Sequence, residues 1–108
     1  MRRGDIFRVH SPEQDDPKPH RFYVLVSRQD LIDSAYSTVV CAPVYARGQG
    51  LSTQVPVGVY EGLKHDCWIT CDNLRSISKS ALTQFVGSLS KAKMDDLNLA
   101  LAIALDLD

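Results

Sequence analysis

The sequence predicts an α+β fold: a small, mostly antiparallel, barrel-like sheet followed by a C-terminal helix. Three observations carry this. Short runs rich in β-branched and aromatic residues recur along most of the chain, divided by turn-forming residues. The apolar spacing becomes helical over a long stretch only after Ser90. Strands therefore precede the helix instead of alternating with helices, which argues against a parallel sheet of βαβ units. The length of 108 residues fits one domain, and 44% hydrophobic with 23% charged residues suits a packed core rather than a disordered chain.

Asp5-Ile6-Phe7-Arg8-Val9 reads as a first short strand. His10 to His20, with three prolines and no large apolar side chain, reads as a long loop of the kind that often carries function. Arg21 to Ser27, RFYVLVS, is almost continuously apolar and reads as a central strand. Arg28 to Ser37 is polar, with Leu31, Ile32 and Tyr36 as anchors, and predicts a short helical turn. Thr38 to Tyr45, TVVCAPVY, is a second buried strand, in which Pro43 predicts a bulge or an edge position. Ala46 to Ser52 is a glycine-containing loop, and Thr53 to Val57 a partner strand. After the connection Gly58 to Asp66, Cys67 to Cys71 is another strand, which Asp72-Asn73 breaks. Leu74 to Ile77 predicts a further short strand and Ser78 to Leu82 a helical turn, and Phe85 to Leu89 leads to the last element. Ser90 is the expected N-cap. Met94, Leu97, Leu101, Ala104 and Leu105 then make one apolar stripe that packs the helix on the sheet.

Several function classes drop out. No apolar run reaches the ~18 residues of a membrane helix. The opening MRRGDIF has arginines but no apolar core of a signal peptide, so a cytoplasmic protein without membrane contact is expected. Cys41, Cys67 and Cys71 form no C-x-x-C pair and read as reduced, packed thiols. His10, His20 and His65 have no ligand spacing, so no metal and no cofactor are expected. G-x-G-x-x-G, Walker, G-x-S-x-G and H-E-x-x-H motifs are all missing. Net charge is −1, but all 12 basic residues precede Met94. The body is thus +3 and the final helix −4, which permits an anionic ligand on the body.

The candidate site residues flank the loops. Arg21 stands between the long loop and an apolar strand, where a guanidinium presents planar donors to a phosphate or makes a surface salt bridge. Asp72, Asn73 and Arg75 supply an acceptor and several donors, suited to a 2′-hydroxyl proton or a base edge. Asp-Asn is equally a common turn pair. Tyr45 either stacks a base or closes the rim of the core. His20 is placed to shuttle a proton near neutral pH, or is an idle loop histidine. Arg47, in the glycine loop, is a candidate phosphate contact.

Taken together, five segments resemble the MazF/PemK family of toxins. Arg3-Gly4-Asp5-Ile6 looks like its R-G-[DE]-[IV] opening, and Arg21 to Ser27 like its R-P-V-[VLI]-[IV] strand. Thr38 to Val44 resembles T-V-[IV]-V-x-P-[IV], and Cys71 to Lys79 resembles C-D-Q-[IVLP]-R-[ST]-[IL]-[DS]. Gly87 and Leu89 match its V-G-x-L entry into a closing helix. Phe22 stands where the family usually has proline. Tyr45 stands where the MazF branch has a catalytic threonine, and Thr70 where the PemK branch has a catalytic arginine.

The resemblance implies a PemK/CcdB-like, SH3-like barrel acting as a homodimer. It implies an mRNA interferase of a type II toxin–antitoxin system: a ribonuclease that cuts single-stranded RNA at short sequences without a metal. The 2′-hydroxyl attacks the adjacent phosphate, and a cognate antitoxin protein blocks the RNA groove. By position Arg21 matches the arginine that stabilises the phosphate or donates a proton, Asp72 the aspartate proposed as base, and Arg75 the arginine of the R-[ST]-I motif. Tyr45 is placed to supply a hydroxyl. The alternatives on the same fold are an inactive, antitoxin-binding dimer and a CcdB-like toxin that binds DNA gyrase through the end of the last helix. The ending Leu105-Asp106-Leu107-Asp108 lacks the aromatic-hydrophobic character of the latter.

Overall fold

A computed structural model describes residues 1–10 and 20–107. Seven strands form one sheet: β1 (Asp5–His10), β2 (His20–Leu25), β3 (Thr38–Tyr45), β4 (Gln54–Val57), β5 (Cys67–Thr70), β6 (Arg75–Ser78) and β7 (Gln84–Ser88). Two helices accompany them, α1 (Gln29–Asp33) and α2 (Lys91–Ala104). The strand order is β4-β5-β3-β2-β1-β7, with β6 also on β3, and every pairing is antiparallel. Of the expected loop His10 to His20, residues 11–19 lie outside the described residues, whereas His10 and His20 are strand residues, held there by pairing with each other across β1 and β2.

The near-continuous apolar runs have a simple cause. The central strands are buried on both faces, so alternate side chains feed two separate cores. Ile6, Val24, Ala42, Val44, Val55, Ile69 and Cys71 point to one face, where Leu97, Ala100 and Leu101 of α2 cover them. Phe7, Val9, Tyr23, Leu25, Val39 and Cys41 point to the other, where Ile32 of α1 and Leu82 cover them. Burying one such large side chain contributes about 1.5–3 kcal/mol. The helix stripe is confirmed at Leu97 and Leu101, with Met94 and Ala104 at its margin. Leu105 lies past the last helical turn and is exposed, and Ala100 takes the place in the stripe that it was expected to fill. Ser90 caps α2, its Oγ accepting from the Lys93 N–H at 3.2 Å.

Two elements differ from expectation. Residues 84–88 are a full strand, paired to β1 through Phe7↔Phe85 and Ile6↔Gly87. Pro43 sits neither at an edge nor in a bulge: it is fully buried in the central strand and pairs with Tyr23. On its other flank β3 pairs with β6 up to Cys41 and with β5 from Val44. The proline, which lacks an N–H, thus falls where that flank changes partner.

The sheet curls until its ends meet. The 3₁₀ turn after β4, Val59–Glu61, lies against β7. Gly62, at φ 95°, lets the chain turn there, and a side chain on it would stand 2.5 Å from the Val86 carbonyl oxygen. Gly87 is packed against the Glu61 carbonyl with no room for a Cβ. This is the barrel-like curl that the order of strands predicts.

Candidate functional site on the open end of the sheet

On the face of the second core, the covering by α1 and Leu82 stops short of one end of the sheet. Register places a row of side chains there. Val9 pairs with Arg21, Tyr45 with Trp68, and Trp68 with Pro56. Phe22 pairs with Val44, so Arg21 and Tyr45 are neighbours one step further along. The Arg21 guanidinium carbon lies 5.4 Å from the centre of the Tyr45 ring, over its face. That contact orients a flexible cation by the ring's quadrupole. Both side chains are half-buried.

The 3₁₀ turn Cys71–Asn73 brings two more predicted residues to this place. Asn73 Nδ2 donates to the Tyr45 hydroxyl at 3.4 Å. Beside it, the Asp72 carboxylate accepts from Thr53 Oγ1 at 2.6 Å, and the Cys71 N–H donates to the Thr53 carbonyl at 3.0 Å. The turn between β5 and β6 is therefore held by the residue just before β4. The Asp-Asn pair is both a turn and part of the cluster, so the two sequence readings are compatible.

Of the remaining predicted residues, His20 adjoins this cluster, whereas Arg75 stands apart from it. His20 and His10 pair across β2 and β1, with ring centres 5.2 Å apart, next to Arg21. The His20 Nδ1 is shielded and has no hydrogen-bond partner among the described residues. Desolvation, then the charges of Arg8 and His10, hold its pKa below the usual value of 6.5. Arg47 is exposed on the loop between β3 and β4. Arg75 opens β6 opposite Cys41, on the same face as Tyr45 but four residues along β3, roughly 13 Å away at the usual strand rise. Phe22, in the place of the usual proline, points to the other face and packs on the first core. Thr70 is buried, its hydroxyl accepting from Gln54 Nε2 at 3.3 Å.

Sequence reasoning missed Trp68 and Thr53. Trp68, half-buried beside Tyr45, had a signal in its alternation with the inward Cys67 and Ile69. Thr53 had none, because its contact with Asp72 spans 19 positions. In chemical terms the end of the sheet combines a fixed guanidinium, a phenol, a carboxamide and a carboxylate around an aromatic surface. Such a set holds a phosphate and an unstacked base side by side.

No helix among the described residues is long and apolar enough to cross a membrane. The chain is 29% identical over 100 residues to a Mycobacterium tuberculosis protein named endoribonuclease MazF3, across 93% of each chain. The solved structure of the M. tuberculosis toxin MazF-mt6 matches with a TM-score of 0.83 at 26% identity, over 96% of this chain and 98% of that one. A MazE–MazF complex from Deinococcus radiodurans shares the fold at a TM-score of 0.78 and 15% identity, over 97% and 95% of the two chains. Residues 2–105 match the family model described as PemK-like, MazF-like toxin of type II toxin–antitoxin system. With five motif segments, the curled antiparallel sheet and that match over nearly its whole length, the chain belongs to the PemK/MazF toxin family.

Proposed function

We propose that this chain is an endoribonuclease toxin that cuts single-stranded RNA, mRNA above all, at short specific sequences. It needs no metal, works as a homodimer in the cytoplasm, and is neutralised by a cognate antitoxin. The carrying observation is the Arg21 guanidinium over the Tyr45 ring with Asn73 on the Tyr45 hydroxyl, which gathers residues picked independently from three segments of sequence. Membership of a toxin–antitoxin family and similarity to the M. tuberculosis endoribonuclease MazF3 support the same reading.

In this reading the RNA supplies its own nucleophile, so positioning and charge stabilisation carry most of the barrier reduction. Asp72 takes the proton of the 2′-hydroxyl as it attacks the adjacent phosphorus. Arg21 places two parallel N–H donors on the phosphate oxygens as negative charge builds there. Tyr45 accepts from Asn73, so its own O–H points onward and donates to the departing 5′-oxygen. The products are a 2′,3′-cyclic phosphate and a 5′-hydroxyl. Asn73, His20, Arg47 and Arg75 contact the RNA around this bond.

Purified protein incubated with RNA in excess chelator, followed by mapping of both new ends, tests the proposal. Cleavage that leaves cyclic phosphate and 5′-hydroxyl ends is expected, with a fall of about 10²–10⁴-fold for Asp72→Asn, the range for losing a general base. A requirement for added divalent cation, or 5′-phosphate ends, would refute it.

A further inference from the structure

The loop between β3 and β4 is tied to the candidate site at both ends. It leaves the sheet at Tyr45 and returns at Thr53, whose hydroxyl donates to Asp72. Its middle is clasped by Gln54, a carboxamide only 9% exposed at the start of β4. The orientation of that amide follows from chemistry. The Gln49 backbone N–H can only donate, so the Gln54 atom 2.9 Å from it is Oε1. Gln54 Nε2 then donates to Gln49 Oε1 at 2.9 Å and to Thr70 Oγ1 at 3.3 Å. Beside the clasp the loop is pressed onto Trp68: a Cβ on Gly48 would stand 2.6 Å from the ring.

The clasp therefore fixes Gln49 as well. Its side-chain carbonyl is used inward, and Nε2 makes no hydrogen bond among the described residues. An exposed residue is left presenting two N–H donors in one preset direction. Gln54 lies two strands from Tyr45 and two residues further along on the same face, roughly 12 Å away at the usual strand spacing and rise. That offset reaches a base flanking the cleaved bond.

We propose that Gln49, oriented by Gln54, reads one flanking base and selects an edge that offers a hydrogen-bond acceptor. A carbonyl oxygen or ring nitrogen accepts from Nε2, whereas an amino group places donor against donor and leaves both unsatisfied. Gln54 acts through Gln49 and is a positioning residue. The inference rests on the endoribonuclease reading and names the recognition chemistry of that site.

The test uses full-length protein and an RNA pool randomised around the cut, read by end mapping. Gln49→Leu is expected to relax the preference at one flanking position by about tenfold, the scale of one hydrogen bond at 1.4 kcal/mol per decade. Gln49→Glu, which offers only acceptors, is expected to turn that position towards donor-bearing edges, the amino groups of adenine and cytosine or the N1–H and amino group of guanine. Gln54→Leu is expected to relax the same position, with folding checked by the emission of Trp68, the single tryptophan. Gln49 is exposed, so its variants decide the matter if Gln54→Leu does not fold. Trp68 quenching by oligoribonucleotides that carry a 2′-deoxy group at the cleaved position gives a second readout without cleavage. Cleavage with base preferences untouched by Gln49→Leu overturns this inference alone. Binding with a Gln49-dependent preference but no cleavage supports it and overturns the nuclease reading. Neither cleavage nor binding overturns both.

Discussion

Replacing Arg21 by alanine removes a contact with the Tyr45 ring and a set of donors for a phosphate, and the two can be assayed separately. The ring contact, at 5.4 Å from the centre and half-buried, contributes about 0.5–1 kcal/mol to stability. Small domains have about 5–15 kcal/mol to lose, so loss of that ring contact by itself leaves the chain folded to better than about 99%. A donor aimed at developing charge is worth far more in the transition state. Removing one costs about 10²–10³-fold in rate, or about 2.7–4 kcal/mol. Arg21→Ala is therefore expected to lose cleavage by that factor while its urea midpoint moves little. Arg21→Lys keeps the charge but not the planar fork, and a loss of about tenfold is expected. Single-turnover cleavage of a short RNA in chelator gives the rate, and urea unfolding followed by Trp68 emission gives the stability. Cleavage by Arg21→Ala within about threefold of the parent would refute the clamp. So would a loss of stability large enough to account for the lost activity.

Three further outcomes follow from the same geometry. Tyr45→Phe keeps the ring under Arg21 but loses the hydroxyl that accepts from Asn73, so stability should change by less than about 1 kcal/mol while single-turnover cleavage falls at least about tenfold. Burial pushes the Cys41 thiol up to about 12, and burial with the Asp72 charge pushes Cys71 up to about 11. The unfolded chain thus releases these protons first, near pH 9, and the urea midpoint under reducing conditions should fall between about pH 9 and 11 and be insensitive to these groups below pH 8. Gly87→Ala drives a methyl group into the Glu61 carbonyl where the sheet's ends meet, and a loss of about 1–3 kcal/mol is expected in urea unfolding.

How legible each part was depended on the range of the interaction behind it. The strands His20–Leu25 and Thr38–Tyr45 were plain because burial on both faces imposes a nearly unbroken apolar run. Ser90 was plain because a cap is a contact over three residues. Residues 84–88 were not recognised as a strand because β7 is an edge with mixed exposure, and only pairing to β1 makes it one. Pro43 misled because the rule against proline in central strands assumes continuous partners on both flanks, and β3 changes partner there. At the candidate site, Arg21, Tyr45, Asp72 and Asn73 were nameable from residue type and motif. Their assembly was not, since Arg21 and Tyr45 are 24 positions apart and Asn73 is 28 beyond Tyr45.

Residue chemistry and local pattern, read along the chain, sufficed for the fold class, the family resemblance and the identity of most candidate residues. Those properties depend on side-chain type and on neighbours a few positions away. Tertiary structure alone decided that the Arg21 guanidinium rests on Tyr45, that Thr53 holds Asp72, and that Gln54 turns Gln49 outward. Each of these is set by strand register and by the curl of the sheet. A shift of one residue in register would send the strand residues Arg21, Tyr45 and Gln54 to the opposite face. Register is the sum of many pairings across the whole chain, and no single segment of sequence contains it.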